Sequence, residues 1–229
     1  KMENLRERRF LSSLIKKKNV GPADLSLAAV QLASIHADSG MSVREGETGK
    51  AERFQALCDD MLYQMKRYFD PSITQPIIDM IRHPLDKFIH SKSNVFGKRL
   101  RKGRVVQGHG ALLPEHIHIQ GETVRFLSPH EVYKKYSVLD AAHDVATLMV
   151  DLIVANEKEL ADHFLQKYKE ASKDKDLESI LPAYQTYCAL KHGVLTCERK
   201  VALQDESLGP VALEYFNLAT RFSRTISKD

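Results

Sequence analysis

Apolar residues recur at helical spacing over most of the chain. Leu5, Phe10, Leu11, Leu14 and Ile15 predict an amphipathic helix over residues 2–17. Asn19-Val20-Gly21-Pro22 ends it, and Pro22 suits the first turn of the next helix. Leu25, Leu27, Ala28, Val30, Leu32, Ala33 and Ile35 predict that this second helix is deeply buried to about residue 37, with His36 a structural residue at its end. Residues 38–50, with Gly40, Gly46 and Gly49, read as a loop. Residues 51–68 are helical again, with Met61, Leu62, Met65 and Tyr68 as core filling. Asp70-Pro71 breaks the pattern, and residues 72–100 predict one long helix that Pro84 kinks or interrupts. Residues 137–156 form the most apolar predicted helix, 157–171 a short amphipathic one. Asp174 to Asp176 is polar punctuation. Residues 177–203 carry Tyr184, Tyr187, Leu190, Val194 and Val201 on one side. The last helix starts near Gly209-Pro210 and carries Leu213, Phe216, Leu218, Ala219 and Phe222.

Between residues 104 and 127 the period changes from 3.6 to 2. A short strand, 104–107, runs into a turn at Gly108-His109-Gly110. A second strand covers 116–119, Gly121-Glu122 turns the chain, and a third covers 123–127. Asp140 and Asp144 then open the apolar helix, one turn apart and so on a shared face. These elements predict a mostly α (α+β) fold: one domain over 1–229, a helical bundle around a small three-stranded hairpin sheet. Its parts are helical 1–104, the hairpin 105–136 and helical 137–229.

Composition narrows the classes. The chain has 229 residues, 43% of them apolar, as in an ordinary globular domain. Its 34 basic and 30 acidic residues leave a net charge of +4, too balanced to indicate nucleic acid as a partner. Basic runs at Lys16-Lys17-Lys18 and Lys98-Arg99-Leu100-Arg101-Lys102 read as solvated helix ends rather than phosphate-binding patches. Cys58, Cys188 and Cys197 lack zinc-site spacing and read as free thiols of a cytoplasmic protein. No apolar run is long enough to predict a membrane span, and no signal peptide is visible.

His109, His116, His118, His130 and His143 are close in sequence, and His116 and His118 alternate along a predicted strand. Paired imidazoles can hold zinc, but no cysteine is near and the spacing matches no zinc motif, so no metal site is expected. Gly108-His109-Gly110 lacks the Lys-Ser/Thr pair of a phosphate loop.

The order from Val105 to Leu152, VVQGHGALLPEHIHIQGETVRFLSPHEVYKKYSVLDAAHDVATLMVDL, resembles the catalytic segment of the aminoglycoside phosphotransferase and choline kinase superfamily. The likeness is greatest to a bacterial group in which this kinase-like domain is fused to a P-loop ATP-binding domain. The family loop is His-Gly-Asp-x-His, with a magnesium-binding Asn five residues after the Asp, a second metal Asp on the next hairpin strand, and a later Asp-x-x-x-Asp. His109, Gly110, Glu115, Asp140 and Asp144 match. The catalytic Asp position is Ala111, the second His is Leu113, the Asn is His116, and the second metal Asp falls at Leu127 or Ser128.

The resemblance implies the large C-terminal lobe of a protein-kinase-like fold, with no counterpart of the small nucleotide lobe in these residues. Family cofactors are ATP and magnesium. Alanine accepts no proton, leucine ligates no hard cation, and histidine prefers softer metals. No cofactor is therefore expected, and the chain reads as an inactive pseudokinase that scaffolds or regulates a P-loop domain of the same protein. Rival expectations are an active phosphotransferase with displaced acids such as Glu115 or Glu131, and a small-molecule binding module. In the family the Asp-x-x-x-Asp carboxylates brace the catalytic loop. Asp140 and Asp144 are expected to do so here, accepting hydrogen bonds from His109 and backbone amides.

Overall fold

In a computed structural model, residues 5–39, 50–68, 74–127 and 138–226 are described. They are mostly helical, with short antiparallel strands, an α+β arrangement. The helices are α1 (Leu11–Lys16), α2 (Pro22–Asp38), α3 (Ala51–Lys66), α4 (Gln75–Ser91) and α5 (Ser93–Arg101). Strands β1 (Val105–Gln107), β2 (Ile117–Gln120), β3 (Thr123–Phe126) and β4 (Val138–Asp140) follow. Then come α6 (Ala142–Val154), α7 (Lys158–Ser172), α8 (Leu181–Leu203) and α9 (Leu208–Ile226).

α8 is the central helix. An unbroken buried run from Ala183 to Leu190 lets it pack against α9, α6 and α3 at once. That all-round burial fits a helix inside a bundle, not an amphipathic surface helix. α2 packs on α7, and α4 on α9. α2 starts where Pro22 needs no amide partner and where the Gly21 amide donates to the Asp24 carboxylate at 2.9 Å.

Several expectations are corrected. The first helix is not continuous: a 3-10 turn, Glu7–Arg9, precedes α1, and Phe10 between them is extended and bridges to His118. Val30 and Ile35 of α2 are exposed, at 53% and 37%, because α2 turns only one side to the core. The 72–100 helix breaks at Lys92 and not at Pro84, which lies inside α4. The predicted loop over 38–50 and the Asp70-Pro71 break fall on residues largely outside those described.

The three-stranded sheet is also corrected. β2 and β3 form the expected hairpin, with Gln120 opposite Thr123, but β1 pairs instead with β4, Val105 opposite Asp140. Residues 138–140, read as the start of a helix, are therefore a strand. Asp140 ends that strand, so it does not share a helical face with Asp144.

Asp140 belongs to a buried ion cluster. Arg99, with no exposed surface, holds it bidentately at 2.7 Å on both oxygens and reaches Asp174 at 2.9 and 2.8 Å. Burial alone would lower the Arg99 pKa, but Asp140 and Asp174 outweigh it and hold the guanidinium firmly charged. Asp140 also accepts the Ala142 amide at 2.8 Å, which starts α6. Asp174 is thus interior and not polar punctuation, and Arg99 is not part of a solvated helix end. Its neighbours Lys98 and Lys102 do reach the surface, where both pair with Asp176.

Candidate functional site

The β1–β4 pairing sets the site. It carries the chain from Asp140 straight into α6 and places Asp144, in that helix's first turn, beneath the turn that leaves β1. Gly110 takes φ 77 in that turn, a backbone conformation that glycine adopts without steric cost. The amides of His109 and Gly110 both point at Asp144, at 2.6 and 2.9 Å.

Asp144 is buried and takes two side-chain donors as well. His36, at the end of α2, reaches it at 3.2 Å, and His143 at 3.4 Å. Because the carboxylate can only accept, His36 Nε2 donates; its Nδ1 then accepts from the Tyr168 hydroxyl at 2.8 Å. Burial alone would raise the Asp144 carboxyl, but the hydrogen bonds from His143 and His36 outweigh it and hold it well below the usual carboxylate range. Burial pushes His143 down, towards the neutral form.

Two further imidazoles line the turn. His109 Nε2 donates to the Leu127 carbonyl at 3.0 Å, and His116 Nδ1 to the Ala111 carbonyl at 2.8 Å. Their rings lie 5.6 Å apart. Burial also lowers the His109 pKa. His116 sits in a 3-10 turn before β2 and not on the strand, so it does not pair with His118, which packs against Phe10. Lys191 of α8 closes the underside, its ammonium 3.3 Å from the Gly110 carbonyl.

Glu115 is exposed and lines a separate cavity of about 420 Å³ with Leu113, Asp151, His192 and Tyr215. There the Asp151 carboxylate accepts both His192 Nδ1, at 2.7 Å, and the Tyr215 hydroxyl, at 2.8 Å.

Of the positions that the resemblance would give to the site, the described ones do not suit magnesium. Ala111 and Leu127 offer no side-chain oxygen, and His116 has spent one ring nitrogen on a carbonyl. Among the described residues no group of three or more His, Cys, Asp or Glu is placed to hold a metal. Ser128, His130 and Glu131 lie outside the described residues. Cys58, Cys188 and Cys197 are buried and in no disulfide; Cys188 is pushed up to about 12 by burial, so it is an inert thiol. No described helix is long and apolar enough to cross a membrane.

The structure thus gathers His109, Gly110, Ala111, His116, Leu127 and Asp144 at one turn, and takes Asp140 and Glu115 elsewhere. Sequence reasoning missed how His36, His143, Tyr168 and Lys191 join the site. Lys191 did leave a signal: it interrupts an otherwise buried face of α8. His36 and Tyr168 left none, since only the α2–α7 packing brings them together.

No family model matches the chain, and no solved structure matches it. It is similar to the uncharacterized protein Mb2027c of Mycobacterium bovis and the uncharacterized protein Rv2004c of Mycobacterium tuberculosis, 26% identical to each over 201 residues. Those matches cover 86% of this chain, which spans about 40% of the length of either relative.

Proposed function

We propose that this chain is the large lobe of an aminoglycoside-phosphotransferase-like domain that has lost phosphoryl transfer and works as a pseudokinase scaffold or regulator. The observation that carries the reading is the turn itself. Asp144 holds two consecutive loop amides in a braced frame, yet the residue that the frame presents is Ala111. A braced loop without its proton acceptor suits holding a shape, not chemistry. The partner is a P-loop ATP-binding domain of the same protein. The greater length of the mycobacterial relatives leaves room for such a domain.

Mg-ADP tests this reading. A ligand stabilises a fold by RT ln(1 + [L]/Kd), so a binder at a hundred times its Kd adds about 2.7 kcal/mol. Millimolar Mg-ADP is expected to leave the melting temperature unchanged. A reproducible rise of several degrees contradicts the reading.

A second reading, a small-molecule binding module, is favoured by the cavity at Asp151, His192 and Tyr215. Its volume lies within the range of ordinary ligand pockets.

A further inference from the structure

Lys191 follows the buried run on α8 and is itself half-buried. Its ammonium makes one hydrogen bond among the described residues, to the Gly110 carbonyl at 3.3 Å, and it is in no ion pair there. The more exposed lysines contrast with it. Lys18 has Glu157, Lys98 and Lys102 share Asp176, and Lys169 has Glu178. Lys191, by contrast, is in no such direct pair among the described residues.

A half-buried cation without a partner is costly. The charge of Asp144 acts on Lys191 but makes no direct pair with it, and its two oxygens already accept from two amides and two imidazoles. Burial accordingly pushes the Lys191 amine down. The remedy left is an anion from outside the chain.

The turn is built to tolerate one. His109 and His116 each donate a ring proton to a backbone carbonyl, which fixes their tautomers. Ala111 brings no acid to repel an incoming charge. The one carboxylate at the turn, Asp144, has both oxygens taken by the four donors named above, which leaves the Lys191 ammonium as the group there that is open to a further acceptor. We propose that Lys191, against the turn at Gly110, is a metal-independent binding point for a small oxyanion, a phosphate or carboxylate group. This goes beyond the pseudokinase reading and stands on Lys191's surroundings alone.

The experiment is thermal melting in excess chelator at constant ionic strength, with chloride replaced by inorganic phosphate or by acetate. In the unmodified chain at least one oxyanion raises the melting temperature above that in chloride. Phosphate and acetate compared separately say which group the site prefers. Lys191→Met removes the increment. An equal increment in Lys191→Met, or none in the unmodified chain, overturns the proposal. Should that variant misfold, reductive methylation of the native chain, read by peptide mass spectrometry, decides instead. The preferred oxyanion slows labelling of Lys191 several-fold and leaves exposed Lys17 unchanged. Undiminished labelling of Lys191 overturns the site.

Discussion

Asp144 is the residue on which the candidate site depends. Replacing it with alanine strands the His109 and Gly110 amides in a buried setting, with an expected cost of about 1–3 kcal/mol. Urea unfolding measures this; a change within error means the turn does not need the carboxylate. The imidazoles add a pH dependence of definite sign. Burial lowers His109 and His143, so the unfolded chain binds their protons more readily than the folded one. Their contribution is present above the ordinary histidine value of about 6.5 and is lost as pH falls through it. Asp144, also held low, adds a further loss only when pH falls below the ordinary carboxylate value of about 3.9. Urea stability is expected to decline from about pH 7 to pH 5, more shallowly in His143→Gln. A flat profile over that window in the unmodified chain counts against neutral buried imidazoles. Of this residue-level picture, the loop amides on Asp144 were expected from the family resemblance, in which the later acids brace that loop, and not from the spacing of the two acids. The side-chain donors were not, since His36 precedes Asp144 by 108 positions and meets it only through packing.

At the scale of elements, two contacts fix how the helices and strands meet. Arg99 ties α5 to the end of β4 and to the segment after α7. Removing one partner of such a cluster leaves buried charge uncompensated, so Arg99→Ala is expected to cost about 3–5 kcal/mol. A loss under about 1 kcal/mol in urea unfolding would place the cluster in contact with water. The α8–α9 contact depends on Gly193. A Cβ there would lie 2.4 Å from the Phe216 ring, so Gly193→Ala forces the helices apart at about 1–3 kcal/mol, against the usual gain of helix propensity. A stabilised Gly193→Ala variant would show that the ring moves aside freely. Helix positions and the β2–β3 hairpin were legible from periodicity and from the Gly121-Glu122 turn. The β1–β4 pairing was not, because it joins segments more than thirty residues apart and each strand is only three residues long. For the same reason Asp140 read as a helix residue, and Asp174 as surface, until Arg99 was placed between them.

For the molecule as a whole, we propose a helical body that holds a loop in a phosphotransferase-like frame without the chemistry. Restoring the base alone should not revive it, because the base is one part among several and the charge of the transferring group must also be neutralised. His116 and Leu127 would still stand where oxygen ligands are needed, and Leu127 is itself tied into the turn through both its backbone groups. The most direct measurement is phosphate release from labelled ATP with magnesium, with and without hydroxyl acceptors. Three proteins are compared: the unmodified chain, Ala111→Asp, and Ala111→Asp combined with His116→Asn and Leu127→Asp. The account predicts no turnover from the first two, and makes the triple variant the least change from which turnover could appear. Clear turnover by the unmodified chain, or by Ala111→Asp alone, would contradict it and show that this turn still carries a working site.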